Sequence, residues 1–409
     1  MTSNAQSGSG FARTSGPPEQ AELVLPRRDW LLLPGISLLT ICLLAGSTEF
    51  IARRVFSVSN TGMPGCVLFN NSSAGLRAVP NSVCWVKDPE GPPVEYRFNS
   101  RGHRAGKELL PKQPGIFRIV MVGSSTAMGD QVAQEKTFAA LLPNELSQRT
   151  GRSIELYNEA MVAEYPQNIA SRFDEVLAAK PDMILWIITP FDIRVVSAVP
   201  LSADVKKRIA QGLVANVWSR MKGAAAARSM SGAMAALSDH SRAAFLTRHF
   251  LFQSQSQYVK SYLMGPEGEF LKTKTDAEWQ SYLSRFTVAV AAVEDQAKAA
   301  GVPLVAVLVP YRAQVAMVSM GQWPPGCDPY QLDNKVRSII ESDGGIYVDV
   351  LPAFRTIPNP EQGFFSMDTH PDAEGHRMIA LSLAKELTSR AVPQLVAVSR
   401  AKSEIGFGR

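Results

Sequence analysis

The sequence predicts an α/β fold: a doubly wound, flavodoxin-like parallel sheet of about five strands, with a helical insertion and an N-terminal transmembrane helix. Three observations carry this expectation. Short apolar runs alternate with segments of helical periodicity from residue 116 to residue 388. One interval between such runs, 195–300, is far longer than a crossover between parallel strands needs. Ahead of them all, Trp30 to Thr48 runs without a charge.

Residues 1–29 are rich in Ser, Gly, Pro and Gln and lack apolar periodicity, which predicts a disordered tail. As a helix, Trp30 to Thr48 spans roughly 28 Å, close to the hydrocarbon thickness of a bilayer. We therefore read 30–50 as an uncleaved signal anchor, placing the chain in the inner (plasma) membrane with its catalytic domain periplasmic. A cleaved signal peptide is the alternative, opposed by the long polar lead and the lack of a clear Ala-x-Ala site. A buried core helix is a third reading, opposed by the polar flanks. Arg27 and Arg28 on one side balance Arg53 and Arg54 on the other, so charge does not set the orientation.

Residues 51–110 are rich in Asn, Pro and Gly and read as a loop-rich lead-in. Within them Cys66 and Cys84 are either two free thiols or a disulfide, and a bridge would imply an oxidising compartment. Cys42 and Cys327 are left over. Without Cys-x-x-Cys spacing the four cysteines give no zinc site.

From 111 to 395 the main domain follows. Ile116–Val122 is an apolar strand, and Thr137–Arg149 has a helical stripe of Phe138, Leu141, Leu142 and Leu146. Ile154–Tyr157 is a short strand. Asn168–Lys180 is a helix with Ile169, Phe173, Val176 and Leu177 on one face, stopped by Pro181. Met183–Ile188 is a continuous apolar strand, the pattern of a sheet covered on both faces. The interval 195–300, rich in Ala, Met and Gln, reads as a helical subdomain. Pro303–Val309 and Ile346–Leu351 supply two more strands, His376–Thr388 a closing helix, and 396–409 a tail. Hydrophobic residues make up 45% and charged residues 19% of the 409, with a net charge of +5. The basic residues are scattered and lack aromatic interleaving, which argues against nucleic-acid binding.

The chemistry concentrates at two points. Ser125, in Gly123-Ser124-Ser125-Thr126, lies where the first strand gives way to a helix, at the edge where open α/β sheets place ligands. Such a turn is by itself ordinary composition. A nucleophilic hydroxyl also needs a base, a group to orient that base, and donors for the oxyanion. Of the five histidines (His103, His240, His249, His370 and His376), only His370 has a carboxylate two residues before it, Asp368. A metal site is the competing reading of that pair, but no further His/Asp/Glu cluster supplies ligands. His376 falls on the following helix and reads as a packing or capping residue. No cofactor is called for.

These blocks resemble the SGNH (GDSL-like) hydrolase superfamily, in particular membrane-anchored bacterial members related to polysaccharide O-acetylesterases and O-acetyltransferases. Gly123 to Gly129 is similar to the family's nucleophile block, with Ser125 as nucleophile. Asp368-Thr369-His370-Pro371 is similar to its terminal block, which implies Asp368 and His370 as triad partners. Asn99, Gly102 and Arg104 resemble the Asn-x-x-Gly-x-Arg lead-in of anchored members. Two positions depart from the pattern. Ala163 stands where the oxyanion glycine is expected, so the oxyanion donors are the amides of Ser125 and Ala163. Phe191, in Thr189-Pro190-Phe191-Asp192, replaces the asparagine that would add a side-chain donor. Arg312, after the fourth strand, is a candidate substrate-binding residue, with an exposed surface arginine as the plainer reading.

The resemblance implies a serine esterase or O-acyltransferase acting on acetyl esters of cell-surface polysaccharide, through an acyl-serine. Its partners would be the membrane, an acylated glycan and a multi-spanning acyltransferase or other polysaccharide-synthesis machinery. The altered third block motivates an alternative, a catalytically degenerate domain that binds glycan or scaffolds such a complex.

Overall fold

In the computed structural model the described residues are 28–58, 63–69, 75–195 and 240–396. Most of the expected terminal tails and residues 196–239 of the expected insertion lie outside them. The chain divides into two units, Met1–Thr48 and Glu49–Arg409.

Asp29–Val55 is one helix of 27 residues, long and apolar enough by length and composition to cross a membrane. Leu31, Ile36, Leu38, Leu39, Ile41, Leu43 and Leu44 along it are all exposed.

The second unit is built on five strands: β5 (Ile116–Gly123), β6 (Ser153–Asn158), β7 (Met183–Ile188), β8 (Leu304–Leu308) and β9 (Ile346–Val348). All pair in parallel, in the order β6-β5-β7-β8-β9. The order reverses direction at β5, so the carboxyl end of that strand opens onto a crevice. Alternate residues of each strand feed two separate cores. Ile119, Met121, Leu185, Ile187, Val305 and Val307 pack on one side with Phe138, Leu142 and Leu146 of helix Phe138–Thr150, and with Met378, Ile379 and Leu383 of helix Ala373–Glu386. Val120, Val122, Ile184, Trp186, Ala306 and Leu308 pack on the other side with Phe286, Val290 and Val293 of helix Ala277–Ala299. Burial on both faces is why β7 and β8 read as unbroken apolar runs, and why β5 does so after Arg118.

Three expectations need correction. The helix expected over Asn168–Lys180 is two pieces, Pro166–Ser171 and Phe173–Ala178, separated at Arg172 with φ −119°. Arg172 is buried and turned toward Glu159 and Glu164, and that ion cluster outweighs continuous helical geometry. The segment 277–299, read as part of an insertion, is a crossover helix of the sheet itself, with Phe286 6.2 Å from Trp186. The lead-in is not merely loops. It holds two antiparallel hairpins, β1 (Val67–Phe69) with β2 (Leu76–Ala78), and β3 (Val83–Val86) with β4 (Val94–Arg97).

Cys66 and Cys84 form a disulfide that ties β3 to the residue preceding β1. Closing a loop of that length stabilises a fold by about 3 kcal/mol. Replacing both cysteines by serine is expected to lower the unfolding free energy by about that amount. Denaturant unfolding of the double variant beside the oxidised and reduced wild type checks this, and a variant curve coincident with that of the oxidised protein would contradict it.

Candidate active site

The site forms where β5 ends. Gly123 takes φ +147°, and a Cβ there would meet the Ile187 carbonyl at 2.5 Å, so only glycine lets the strand pass β7 this closely. The chain turns at once into a short helix, Ser125–Met128, closed by Gly129 in the left-handed region at φ 83°. Ser125 is the first residue of that helix, so its amide has no partner within it. The hydroxyl is almost buried, at 9% exposure for the residue.

His370 reaches this hydroxyl from the far end of the chain. Ser125 Oγ lies 2.8 Å from His370 Nε2, and the opposite ring nitrogen, Nδ1, bonds Asp368 Oδ1. The His370 amide also donates to Asp368 Oδ1 at 3.3 Å, which fixes the carboxylate beside its own imidazole. The turn between them requires Thr369 at φ 76°, an unfavourable conformation for a β-branched residue. Two backbone bonds close the loop, Thr369 N to Phe365 O at 3.0 Å and Phe365 N to His370 O at 2.9 Å. Asp372 then caps helix Ala373–Glu386 through the amides of Glu374 and Gly375, so the loop ends on a rigid element.

The electrostatics around the imidazole are acidic. Burial alone would hold His370 below its ordinary value, but Asp368 outweighs it, and Asp130 and Asp88 add to the effect; the result is about 9. Asp88 is itself pushed up to about 7, by burial first and then by the charges of Asp130 and Asp368. Asp130 is held by the Tyr96 hydroxyl. His376 has no part in this. It is buried, accepts from the Phe138 amide at 3.1 Å and stacks on the Phe138 ring, and burial holds it down at about 3.

The second block supplies an unusual backbone. Ala163 sits in the left-handed region at φ 53°, the conformation for which glycine is ordinarily selected. It is held there by its neighbours. Met161 donates to the Gly123 carbonyl at 3.2 Å, and the Asn158 side chain spans the Ala127 carbonyl at 2.9 Å and the Ala160 amide at 3.0 Å. Glu164 and Glu159 converge on the buried Arg172. In the third block Asp192 turns back onto Thr189, accepting from its amide at 2.7 Å and its hydroxyl at 2.8 Å. Burial raises Asp192 to about 6. Phe191 offers no hydrogen-bond donor on its side chain.

Beside His370 lies a small cleft lined in part by Thr126, Thr189, Tyr311, Thr369 and Pro371. Arg312, expected either at the substrate or on the surface, is buried. Its buried guanidinium donates to the carbonyls of Glu361 (3.2 Å), Ser366 (3.0 Å) and Phe252 (2.5 Å), and lies 4.0 Å from the centre of the Tyr258 ring. It holds the loop leading to Asp368. Arg104 plays the matching part for the nucleophile turn, donating to the carbonyls of Gly129 at 2.5 Å and Val132 at 2.6 Å. Among the described residues no group of His, Cys, Asp and Glu is arranged to hold a metal ion.

Residues 267–405 match the family described as an SGNH hydrolase-like domain, acetyltransferase AlgX. That span includes Asp368 and His370 but not Ser125. Among solved structures, TesA is similar at 11% identity and a TM-score of 0.35, over 66% of this chain and 97% of that one. The psychrotrophic esterase EstA from Pseudoalteromonas sp. is similar at 11% identity and a TM-score of 0.31, over 66% of this chain and 96% of that one. No curated protein matches the sequence.

Two outcomes follow from this geometry. In Asp368→Asn the imidazole loses the partner that most raises it, so its titration moves down from about 9. NMR titration of the His370 ring reads this directly, and an unmoved midpoint would contradict it. Ala163→Gly relieves a left-handed alanine while keeping its amide, and is expected to raise stability by up to about 1 kcal/mol. A lower melting temperature in that variant would count against the strain.

Proposed function

We propose, for a chain that is SGNH hydrolase-like and related to the acetyltransferases, that it is a membrane-anchored, extracytoplasmic serine esterase or O-acyltransferase. Its substrates are acyl esters, foremost acetyl esters, of cell-surface polysaccharide. One observation carries the catalytic part of this reading: the 2.8 Å contact of Ser125 Oγ with His370 Nε2, with Asp368 behind the ring. The apolar helix near the N-terminus supports anchoring, and the Cys66–Cys84 disulfide supports an oxidising compartment.

In this mechanism His370 Nε2 takes the Ser125 proton as Oγ attacks the ester carbonyl carbon. The negative charge that builds on the carbonyl oxygen is met by the amides of Ser125 and Ala163. When the carbon–oxygen bond to the leaving alcohol breaks, His370 returns its proton to that alcohol, and an acyl-serine remains. Water or a sugar hydroxyl then loses its proton to His370 as its oxygen attacks the acyl carbon, the carbon–Oγ bond breaks, and His370 returns that proton to Ser125 Oγ, completing hydrolysis or transfer. Asp368 keeps the Nδ1 proton in place and stabilises the imidazolium. With Phe191 in the third block the oxyanion has two donors; a missing donor of this kind typically costs about 10²–10³ in rate. The His370 value of about 9 fixes the sign of the pH dependence. The base must be neutral to act, so acylation rises with pH and levels off only above that value.

The test is turnover of a small acetyl ester and of an acetylated oligosaccharide, with acetate release and transfer to an acceptor measured side by side. Ser125→Ala and His370→Ala are each expected to lower kcat by at least about 10³-fold. Full turnover by Ser125→Ala would end the catalytic reading. A folded wild type that neither hydrolyses nor transfers, yet binds the glycan, would favour the degenerate binding domain.

A further inference from the structure

Glu90 lies in the turn between β3 and β4, far from the α/β blocks in sequence, with its side chain only 4% exposed. Its two carboxylate oxygens serve different elements. Oε2 accepts from the amides of Met367 at 2.8 Å and Asp368 at 3.0 Å. Oε1 meets Nδ1 of His249, on helix Arg242–Leu251, at 2.8 Å. The amides at Met367 and Asp368 open the turn that presents the Asp368 carboxylate to His370. The backbone bonds that close this loop involve Phe365, Thr369 and His370 and leave those two amides to Glu90. Thr369, at φ 76°, does not hold such a turn by its own preference. Arg312 and Gln253 grip the same loop one residue earlier, at the Ser366 carbonyl (3.0 Å) and hydroxyl (2.9 Å).

We propose that Glu90 is a positioning residue for the acid–base pair. By holding the Met367 and Asp368 amides it fixes the Asp368 carboxylate on His370 Nδ1, and it ties that geometry to helix Arg242–Leu251 through His249. The proposal rests on the reading of Ser125, His370 and Asp368 as the catalytic set. It makes the β3–β4 hairpin, which lies outside the parallel sheet, part of the active site.

The experiment uses the full chain with Glu90→Ala, Glu90→Gln and Glu90→Asp. Steady-state kinetics on a small acetyl ester are measured beside the downfield proton NMR resonance of His370 Nδ1, identified by its loss in His370→Ala. Glu90→Ala is expected to lower kcat by about 10–100-fold, the usual effect of removing an outer orienting partner, and to leave KM within about two-fold. It also shifts or broadens the Nδ1 resonance. Glu90→Gln retains an acceptor for both amides and restores most of kcat and the resonance. Wild-type kcat and an unmoved resonance in Glu90→Ala overturn the proposal, as does a lowered melting temperature with neither quantity changed, which marks a structural brace only. Should Glu90→Ala fail to fold, Glu90→Asp takes its place, since its carboxylate is one methylene short of the amides. A lowered kcat with a shifted resonance then supports the proposal, and wild-type values of both overturn it. If Ser125→Ala retains full turnover, the catalytic reading fails, and the resonance alone still decides the role of Glu90.

Discussion

The Ser125 hydroxyl and the His370 ring are 245 positions apart in the chain and 2.8 Å apart in space, and most of the second unit serves to keep them so. Two opposed loops make the contact. One leaves β5 through a glycine that no other residue can replace without meeting the Ile187 carbonyl. The other carries a strained threonine and is braced from three directions, by Glu90, Arg312 and the capped helix at Asp372. Strain of this sort survives only where surrounding contacts over-determine it, and here they do.

Charge is arranged around the same contact. A buried imidazole ordinarily loses its proton, yet His370 is raised because Asp368, Asp130 and Asp88 surround it. Such a field favours the imidazolium that forms when the serine proton is taken, at the cost of protonating the resting base near neutrality. The two effects oppose each other. Asp88, raised to about 7, changes charge near neutral pH. The nucleophile side is held differently, by the buried Arg104 spending its donors on the carbonyls just after the turn. Glu90 and Arg104 both come from residues 83–104, before the first strand of the sheet.

Much of the fold was legible because the three inner strands, β5, β7 and β8, are apolar runs buried on both faces, a pattern that survives without knowledge of partners. The serine turn and the Asp-x-His block were legible for a related reason, since each is local. What was not legible depends on distant pairing. The four strands of the hairpins are three or four residues long, too short for an alternating pattern to stand out. The break at Arg172 follows from carboxylates at Glu159 and Glu164 that no periodicity reveals. The helix Ala277–Ala299 was absorbed into a long polar-to-apolar interval, although its Phe286, Val290 and Val293 mark a face against the sheet. The burial of Arg312 against the carbonyls of Glu361, Ser366 and Phe252 likewise depends on distant residues. Glu90 carries no local signal at all, being 278 positions from the Asp368 amide it holds.

Ser125 acts as a nucleophile only if two backbone amides can meet the oxyanion it creates. The most direct measurement is a crystal structure of the protein after reaction with a small alkyl fluorophosphonate, from which fluoride leaves as Ser125 Oγ bonds phosphorus. We expect phosphorus bonded to Ser125 Oγ, and the phosphoryl oxygen within hydrogen-bond distance of both the Ser125 and Ala163 nitrogens, about 2.7–3.1 Å. A folded protein left unmodified, or an adduct whose phosphoryl oxygen turns away from both amides, would contradict it.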